Sequence, residues 1–385
     1  MQRSTYIVGV LCAVFILCSG GGIYLFLQQE SLPTQSRKTG DRPARTSQGS
    51  GTTEAPSVPE ASVQISETAA IVFAADFGNN SGCETHNQGG CDIYTANIQL
   101  DGTVLDVERR TDNAFEEVFP VFSPDGSMIY ANTSAEKFGI EWIDLSRETS
   151  GILQSSARGP VPLPDGKRMI FSSLGKSKAL MIADLTSPTS LSNIEQISPE
   201  GASYGEPHGA PNGDVIFSKL FGAGRGSNTA QAGVYRLATE EFIDLTEQDG
   251  TAHCFWGFGG TSAYCNNAEK FRGIFRIPFT DGVVGTATEG IVPPKLADVL
   301  AQDDEYTGCR SVFYAYGTFC DEDHAIVTMG CENTDAAGDL TLSVSKLALI
   351  DLSTSPVTMY PLGKNLADTF GGVGDSSYTV SCRME

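Results

Sequence analysis

Three segments of the chain repeat one phrase, in which apolar residues and prolines lead into a tight turn followed by an apolar strand. The copies begin at Val118, Pro160 and Glu206 and carry the turn residues Pro-Asp-Gly126, Pro-Asp-Gly166 and Pro-Asn-Gly213. Proline presets φ in such turns and glycine accepts a positive φ, so each phrase predicts a β-hairpin. A repeat of about 40 to 60 residues made only of strands indicates a β-propeller.

The number of blades follows from a second type of strand that recurs along the chain. Six such strands begin at Asp92, Ile140, Leu180, Val234, Ile274 and Leu347. We therefore expect an all-β, six-bladed β-propeller, with seven blades as the alternative. The strands Ala70–Ala75 and Tyr378–Cys382 stand at opposite ends of the repeat region, and their pairing would close the ring.

The first repeat resembles a known family. It contains Asp92-Ile-Tyr, Asp101-Gly102, Arg110-Thr111, Pro120 and Ser123-Pro-Asp-Gly126 in this order, which is similar to the WD40-like repeat of TolB-type β-propellers. After residue 250 we expect Gly259-Gly260 and Tyr316-Gly317 to serve as the turns. The resemblance implies a six- or seven-bladed ring and, in bacteria, protein–protein interactions in the cell envelope. It specifies no partner, because the motif builds the scaffold and not the binding surface.

The N-terminal part of the chain is predicted to lie outside the propeller. Tyr6 to Leu27 contains no charged residue, and 22 helical residues would span a hydrocarbon core of roughly 30 Å. We predict a signal anchor, a single transmembrane helix over residues 1–27; a cleaved secretory signal with the apolar core Val8–Leu17 is the alternative. Residues 28–66 are rich in Ser, Thr, Pro and Gly, which predicts a disordered linker. Residues 67–385 then form the propeller domain.

Eight cysteines follow the apolar segment. Two pairs share the spacing C-x10-C, and a hairpin turn centred between the members of each pair predicts the disulfides Cys254–Cys265 and Cys309–Cys320. Cys83 and Cys91 bracket a Gly-rich insertion and are predicted to bond. Cys331 and Cys382 remain as the fourth pair by elimination, although eight cysteines allow 105 arrangements.

Disulfides form in oxidising compartments, which bears on the predicted location of the domain. The basic residues Arg37, Lys38, Arg42 and Arg45 follow the apolar segment and would by themselves place the domain in the cytoplasm. We give more weight to the cysteines. The prediction is therefore a membrane-anchored protein, attached through its N-terminal helix, with the propeller in the periplasm or outside the cell.

The charge of the chain bears on its partners. The formal net charge is −22, and residues beyond position 66 account for all of it, because residues 1–66 hold five basic and four acidic side chains. A nucleic-acid binder needs basic side chains to neutralise phosphates, so no nucleic-acid partner is expected. Acidity of this size favours a basic partner, mainly by steering its approach.

Candidate site residues are few. His208 and His253 lie in the first strands of adjacent blades, which surround the central channel in a propeller; Glu206 is two residues from His208, and Glu117 has a matching place in another blade. These four residues, together with Trp256, are the candidate binding site at the channel mouth, and hydrogen-bonded channel residues are the other interpretation. Trp256 is either a packing residue between blades or an anchor in a binding surface. His86 and His324 are expected in exposed loops.

Metal and cofactor signals are weak. The zinc spacing C-x2–4-C does not occur, and neither G-x-S-x-G nor H-E-x-x-H is found. The acidic runs Asp303-Asp-Glu305 and Asp321-Glu-Asp323 could supply oxygens for weak binding of calcium or another divalent cation. The sequence predicts no cofactor, no specific metal ligands and no catalytic residues.

These observations favour a non-enzymatic role: a binding scaffold for an envelope or extracellular protein, with a basic partner preferred. The alternative is a propeller hydrolase or lyase with its site at the channel mouth. A sensor that binds a small ligand in the channel is a third class.

Overall fold

A computed structural model describes residues 68–76 and 91–384, except positions 114, 136–137, 176–177, 222–229, 248–249, 267–272, 304–305, 335–339, 365 and 367–374. The described residues form six antiparallel sheets, and each sheet is one blade of a propeller. The predicted all-β fold with six blades is therefore confirmed. The predicted domain boundaries at residues 27 and 66 lie outside the described residues.

The strands of the blades follow the chain order. Blade 1 contains β1 (Thr68–Asp76), β2 (Asp92–Gln99), β3 (Val104–Arg109) and the last strand, β25 (Asp375–Met384). Blade 2 contains β4 (Glu117–Phe122), β5 (Met128–Thr133), β6 (Gly139–Asp144) and β7 (Thr149–Ser155). Blade 3 contains β8 (Ala157–Pro162), β9 (Arg168–Ser173), β10 (Leu180–Ser187) and β11 (Ser190–Gln196).

Blade 4 contains β12 (Ser203–Gly209), β13 (Val215–Leu220), β14 (Ala230–Arg236) and β15 (Glu241–Asp244). Blade 5 contains β16 (Ala252–Trp256), β17 (Ser262–Asn266), β18 (Ile274–Thr280), β19 (Val283–Val284) and β20 (Thr288–Ile291), with both β19 and β20 on β18. Helix α1 (Leu296–Leu300) leads to blade 6, which contains β21 (Ser311–Phe319), β22 (His324–Thr334), β23 (Leu340–Asp351) and β24 (Thr358–Tyr360).

Ring closure pairs the two ends of the propeller. Strand β25 lies antiparallel to β1, with Ala69 opposite Met384 and Asp76 opposite Asp375. This confirms that the two terminal strands meet in one blade. Because β25 is the innermost strand of blade 1, each blade then has one strand on the central channel: β25, β4, β8, β12, β16 and β21.

The repeated phrase forms the predicted hairpins. The amide of Gly126 donates to the Ser123 carbonyl over 2.9 Å, and equivalent bonds close the turns ending at Gly166 and Gly213. All three glycines have positive φ, between 65° and 89°. Gly259 and Gly260 also have positive φ and form the turn of blade 5, as predicted. Tyr316 and Gly317, by contrast, lie inside β21, so the predicted turn there is wrong.

The apolar core lies in the interfaces between neighbouring blades. Six clusters of buried apolar side chains occur, and each joins residues of two adjacent blades. Between blades 1 and 2, for example, Val72 and Ile93 pack with Ile129 and Ile143. A sheet that is apolar on both faces needs a neighbour on each side, which the ring supplies.

The disulfides agree only in part with the sequence. Cys254–Cys265 bridges β16 and β17 as predicted. The predicted pairs Cys309–Cys320 and Cys331–Cys382 are wrong: the bonds are Cys309–Cys331 and Cys320–Cys382. Cys91 is disulfide-bonded, but Cys83, its predicted partner, lies outside the described residues.

The misassigned pairs have one physical cause. The C-x10-C argument places a turn midway between Cys309 and Cys320, whereas β21 continues to Phe319 and the turn comes after it. Val312 therefore lies opposite Cys331, which brings Cys309 near that residue. Cys320, at the end of the strand, reaches Cys382 on β25 and links blade 6 to blade 1.

The described part of the chain also tests the predicted location. None of its helices has the length and apolar character needed to cross a bilayer. Tyr6–Leu27 and the linker, on which the prediction depended, lie outside the described residues. This finding contradicts the predicted membrane-anchored localisation, with the propeller in the periplasm or outside the cell.

Candidate functional site

Five of the six inner strands carry an irregularity at the same depth in the ring. Their pairing with the second strand is interrupted between residues 118 and 121, 158 and 161, 205 and 208, 252 and 255, and 314 and 317. In four of them the first interrupting residue has positive φ: Phe119 (57°), Gly159 (66°), Glu206 (52°) and His253 (51°). Side chains other than glycine rarely adopt this conformation, and such residues cluster at functional sites.

A cavity of about 480 Å³ occupies the channel between these bulges and the turns that follow them. All six inner strands line it, from Phe119 to Pro124 in blade 2 and from Glu206 to Pro211 in blade 4, for example. The lining includes Pro124, Pro211 and Phe258, which are exposed turn residues. The cavity therefore opens on the face of the propeller formed by these turns, here called the turn face.

Aromatic side chains cross the channel at the level of the bulges. The rings of Phe119 and Tyr316, from blades 2 and 6, meet edge to face with centroids 6.0 Å apart. Tyr316 also contacts the imidazole of His253, with centroids 4.5 Å apart. His253 in turn contacts Glu206. These four residues form the floor of the cavity.

Glu206 and His253 form an ion pair within this floor. The Oε2 atom of Glu206 lies 2.9 Å from Nδ1 of His253, outside normal hydrogen-bond geometry, and about a quarter of each side chain remains exposed. Ser218 Oγ donates to the same Oε2 over 3.2 Å. Burial raises the pKa of Glu206, but the charges of His253 and Arg158 lower it to a net value of about 2. Burial lowers the pKa of His253, and the Glu206 carboxylate raises it above its ordinary value.

His208 lines the same cavity, but its imidazole differs from that of His253 in its pKa. Its Nδ1 atom is buried and has no hydrogen-bond partner among the residues that the structure describes. Burial lowers the pKa of His208 to about 4, so the imidazole is neutral at pH 7. The predicted channel positions of Glu206, His208 and His253 thus coincide with the cavity, while their predicted binding role stays a prediction.

Trp256 lies deeper in the protein than a surface anchor would. It is 3% exposed and packs in the interface of blades 4 and 5, where its ring lies 5.7 Å from that of Phe279. It also borders the cavity. Its Nε1 atom is buried and has no hydrogen-bond partner in the described part of the chain.

Glu117 does not lie at the channel mouth, and that predicted placement is wrong. It precedes the bulge of β4, is fully buried, and accepts hydrogen bonds from Thr111 Oγ1 and Asn113 Nδ2. Its carboxyl group meets that of Glu141 between blades 1 and 2. Burial is the main cause that raises the pKa of both Glu117 and Glu141. The charge of Glu117 raises the pKa of Glu141 further.

Two of the residues proposed for cation binding, Asp303 and Asp321, have charged or polar partners within the protein. Asp303 is buried beside Lys346, whose Nζ lies 3.4 Å from its carboxylate, and Asp304 and Glu305 lie outside the described residues. Asp321 contacts Nδ1 of His324 over 2.9 Å, so His324 is a partly buried residue at a strand end and not an exposed loop residue. His86 lies outside the described residues. In the part of the chain that the structure describes, no group of three or more acidic, histidine or cysteine side chains could hold a metal ion.

Sequence reasoning missed Phe119, Tyr316 and Arg383, which also lines the cavity. A signal for Phe119 was present. Phe119, Gly159, Glu206 and His253 each lie seven residues before the glycine that ends the turn of their blade. The repeat could therefore have placed them at one level of the channel.

Comparison with known proteins agrees with the architecture. No protein-family model matches the chain, and no curated protein sequence is significantly similar to it. Among solved structures, TolB from Acinetobacter baumannii superposes with a TM-score of 0.51 at 13% identity, over 83% of this chain and 66% of that one. The chain thus spans slightly less than two thirds of that TolB.

Other likenesses are weaker. A putative TolB from Agrobacterium tumefaciens gives a TM-score of 0.46 at 10% identity, over 83% of this chain and 99% of that one. An oligogalacturonate lyase in complex with manganese gives 0.43 at 10% identity, over 75% and 84%. These scores are too low to support an inference about function. The blade order, the ring closure and the likeness to TolB together identify the described part of the chain as a TolB-like six-bladed β-propeller.

Proposed function

We propose that the protein is a binding protein whose central cavity holds an extended, largely apolar segment of a partner protein with basic residues beside it. The observation that carries this proposal is the convergence of all six inner strands on one cavity lined mainly by proline, valine and aromatic side chains. Apolar concave sites with a few polar groups are typical binding sites. The acidic residues in the turns of blades 2 and 6, Asp125 and the run 321–323, would favour basic flanking residues.

A direct test uses a pooled library of synthetic peptides with apolar centres and either Lys/Arg or Asp/Glu flanks. We expect retention of the basic-flanked peptides, weakening as salt is raised. Phe258→Ser removes an aromatic side chain that is 49% exposed at the mouth and should weaken binding about tenfold. Val283→Ser, at a 70% exposed position on the outer strand of the same blade, is the matched control and should have no effect. Equal binding by both variants would contradict the proposal.

The second candidate, a hydrolase or lyase, is favoured by one observation. Glu206 raises the pKa of His253 at the cavity floor, which favours the protonated imidazole, and a protonated imidazole can act as a general acid. Pooled esters, lactones and glycosides, followed by mass spectrometry, would test it. Turnover by the wild-type protein that is lost in His253→Gln would support an enzyme, whereas recovery of all compounds unchanged would count against it.

A further inference from the structure

The chain enters the propeller beside the mouth of the cavity. In blades 2 to 5 a tight turn joins the inner strand to the second strand on the turn face. In blade 1 the two corresponding strand ends are Met384 and Thr68, and Ala69 lies opposite Met384. Arg383 and Met384 line the cavity. Whatever precedes Thr68 therefore begins at the rim of the cavity.

The rim carries acidic side chains on both sides of this point. Asp125, on the turn of blade 2, is exposed. Hydrogen bonds from Ser123 and Ser127 lower the pKa of Asp125, so it is ionised at neutral pH. The turn of blade 6 contributes the acidic run of residues 321–323. Because the guanidinium group of Arg383 lies against Gly126 in the turn of blade 2, the turn of blade 6 supplies most of the negative charge on this part of the rim.

The chain itself contains a segment of opposite charge. Residues 37–45, here called the basic segment, hold Arg37, Lys38, Arg42 and Arg45 against the single acidic residue Asp41. This segment stands out in a chain with a net charge of −22. It ends 23 positions before Thr68, and an extended chain of that length reaches up to roughly 75 Å. The basic segment can therefore reach any part of the turn face.

We propose that the basic segment docks on the acidic turn face over the cavity mouth, where it competes with a partner for the same site. This proposal deepens the proposed function and rests on it in one respect: the basic segment and the partner use the same cavity mouth. Tethering makes this contact intramolecular, and short tethers give effective concentrations in the millimolar range. A weak electrostatic contact can then be well populated in the free protein. Basic flanks on a partner would displace it by making the same contacts.

The test places a benzophenone amino acid at position 258, on the rim, in the full chain; the same probe at the exposed position 283 is the control. After irradiation, mass spectrometry should find crosslinks from position 258 to the basic segment and none from position 283. Mixing with isotopically labelled chain separates bonds within one chain from bonds between copies. Crosslinks only between copies would show that a second chain is the occupant and would overturn the proposal.

Charge variants test the electrostatic cause. Reversal of the four basic residues (R37E, K38E, R42E and R45E) should abolish the crosslink and strengthen binding of the basic-flanked peptides about tenfold at low salt. The variant R37K, R42K and R45K keeps the charge and should behave as wild type. Unchanged crosslinking after charge reversal would overturn docking. Equal peptide binding by the wild type and the charge-reversed variant would overturn the competition and leave the proposed function standing. Crosslinking of the basic segment without any peptide binding would overturn the proposed function and leave the docking standing.

Discussion

The carboxyl groups of Glu117 and Glu141 meet in the interface between blades 1 and 2, where the two side chains are 0% and 5% exposed. Within the described ranges of the chain, the Oε1 atom of Glu141 has no hydrogen-bond partner. Two buried carboxylates in contact would repel each other strongly, so the folded protein retains a proton on this pair at pH values where the unfolded chain has lost it.

The first prediction concerns this pair. Because the folded pKa values of Glu117 and Glu141 lie above the unfolded value, the contribution of this pair to the free energy of unfolding is complete below about pH 4.5. It is lost as pH rises toward about 9. Glu141→Gln supplies a neutral group and should stabilise the protein at pH 9 by about 1–3 kcal/mol, with little effect at pH 5. Urea unfolding at both pH values measures this. Glu200→Gln, at an exposed position, is the control, and an equal shift at both pH values would show that the pair does not share a proton.

The second prediction concerns the disulfide that joins blade 6 to blade 1. Cys320–Cys382 closes a loop with a sequence separation of 62, whereas Cys254–Cys265 closes one of 11. In the chain-entropy account, loss of the longer loop costs about 4 kcal/mol and loss of the shorter one about 3 kcal/mol. Replacing both cysteines of each pair by Ala and comparing denaturant midpoints tests the order. A larger loss of stability on removal of Cys254–Cys265 than of Cys320–Cys382 would contradict the chain-entropy account.

The sequence was informative where a local pattern determines the structure. Each Pro-Asp-Gly or Pro-Asn-Gly turn specifies a hairpin through the φ preferences of its own residues, and the six recurring strands of the second type made the number of blades predictable. Cys320–Cys382 could not, since it joins residues on different blades whose proximity depends on ring closure. Glu117 was misplaced for a related reason: it precedes the bulge in β4, and only the cavity-lining residues after each bulge reach the turn face. The pairing of Glu117 with Glu141 has no local signal at all.

The third prediction concerns a buried ion pair in blade 6. Lys346 and Asp303 are each 1% exposed, with Nζ and the carboxylate 3.4 Å apart. Lys346→Met leaves a buried carboxylate without its nearest cation and should lower the free energy of unfolding by about 3–5 kcal/mol. Lys219→Met breaks a more exposed pair with Asp244 and should cost less than about 1 kcal/mol. Similar losses in both variants, measured by urea unfolding, would contradict the buried-charge argument.

The fourth prediction concerns the pH range in which the Glu206–His253 pair stabilises the fold. The pKa of His253 is raised, so its contribution is complete below about 6.5 and is lost as pH rises through the folded value. The pKa of Glu206 is lowered to about 2, so its contribution is complete above about 4.5 and is lost as pH falls toward 2. The pair should therefore stabilise the protein most between about pH 4.5 and 6.5.

His253→Gln should accordingly lower the free energy of unfolding by on the order of 1–2 kcal/mol at pH 6 and by clearly less at pH 10, because the contribution of a raised pKa is lost as pH rises. Comparing variant with wild type at each pH cancels the titration of Glu117 and Glu141. Glu206→Gln should show the same pH dependence, because it removes the other half of the pair. His324→Gln, which alters a histidine outside the cavity, separates the effect of this pair from that of losing any imidazole. If the loss in His253→Gln is as large at pH 10 as at pH 6, His253 stabilises the cavity floor through its ring contact with Tyr316 and not through its charge.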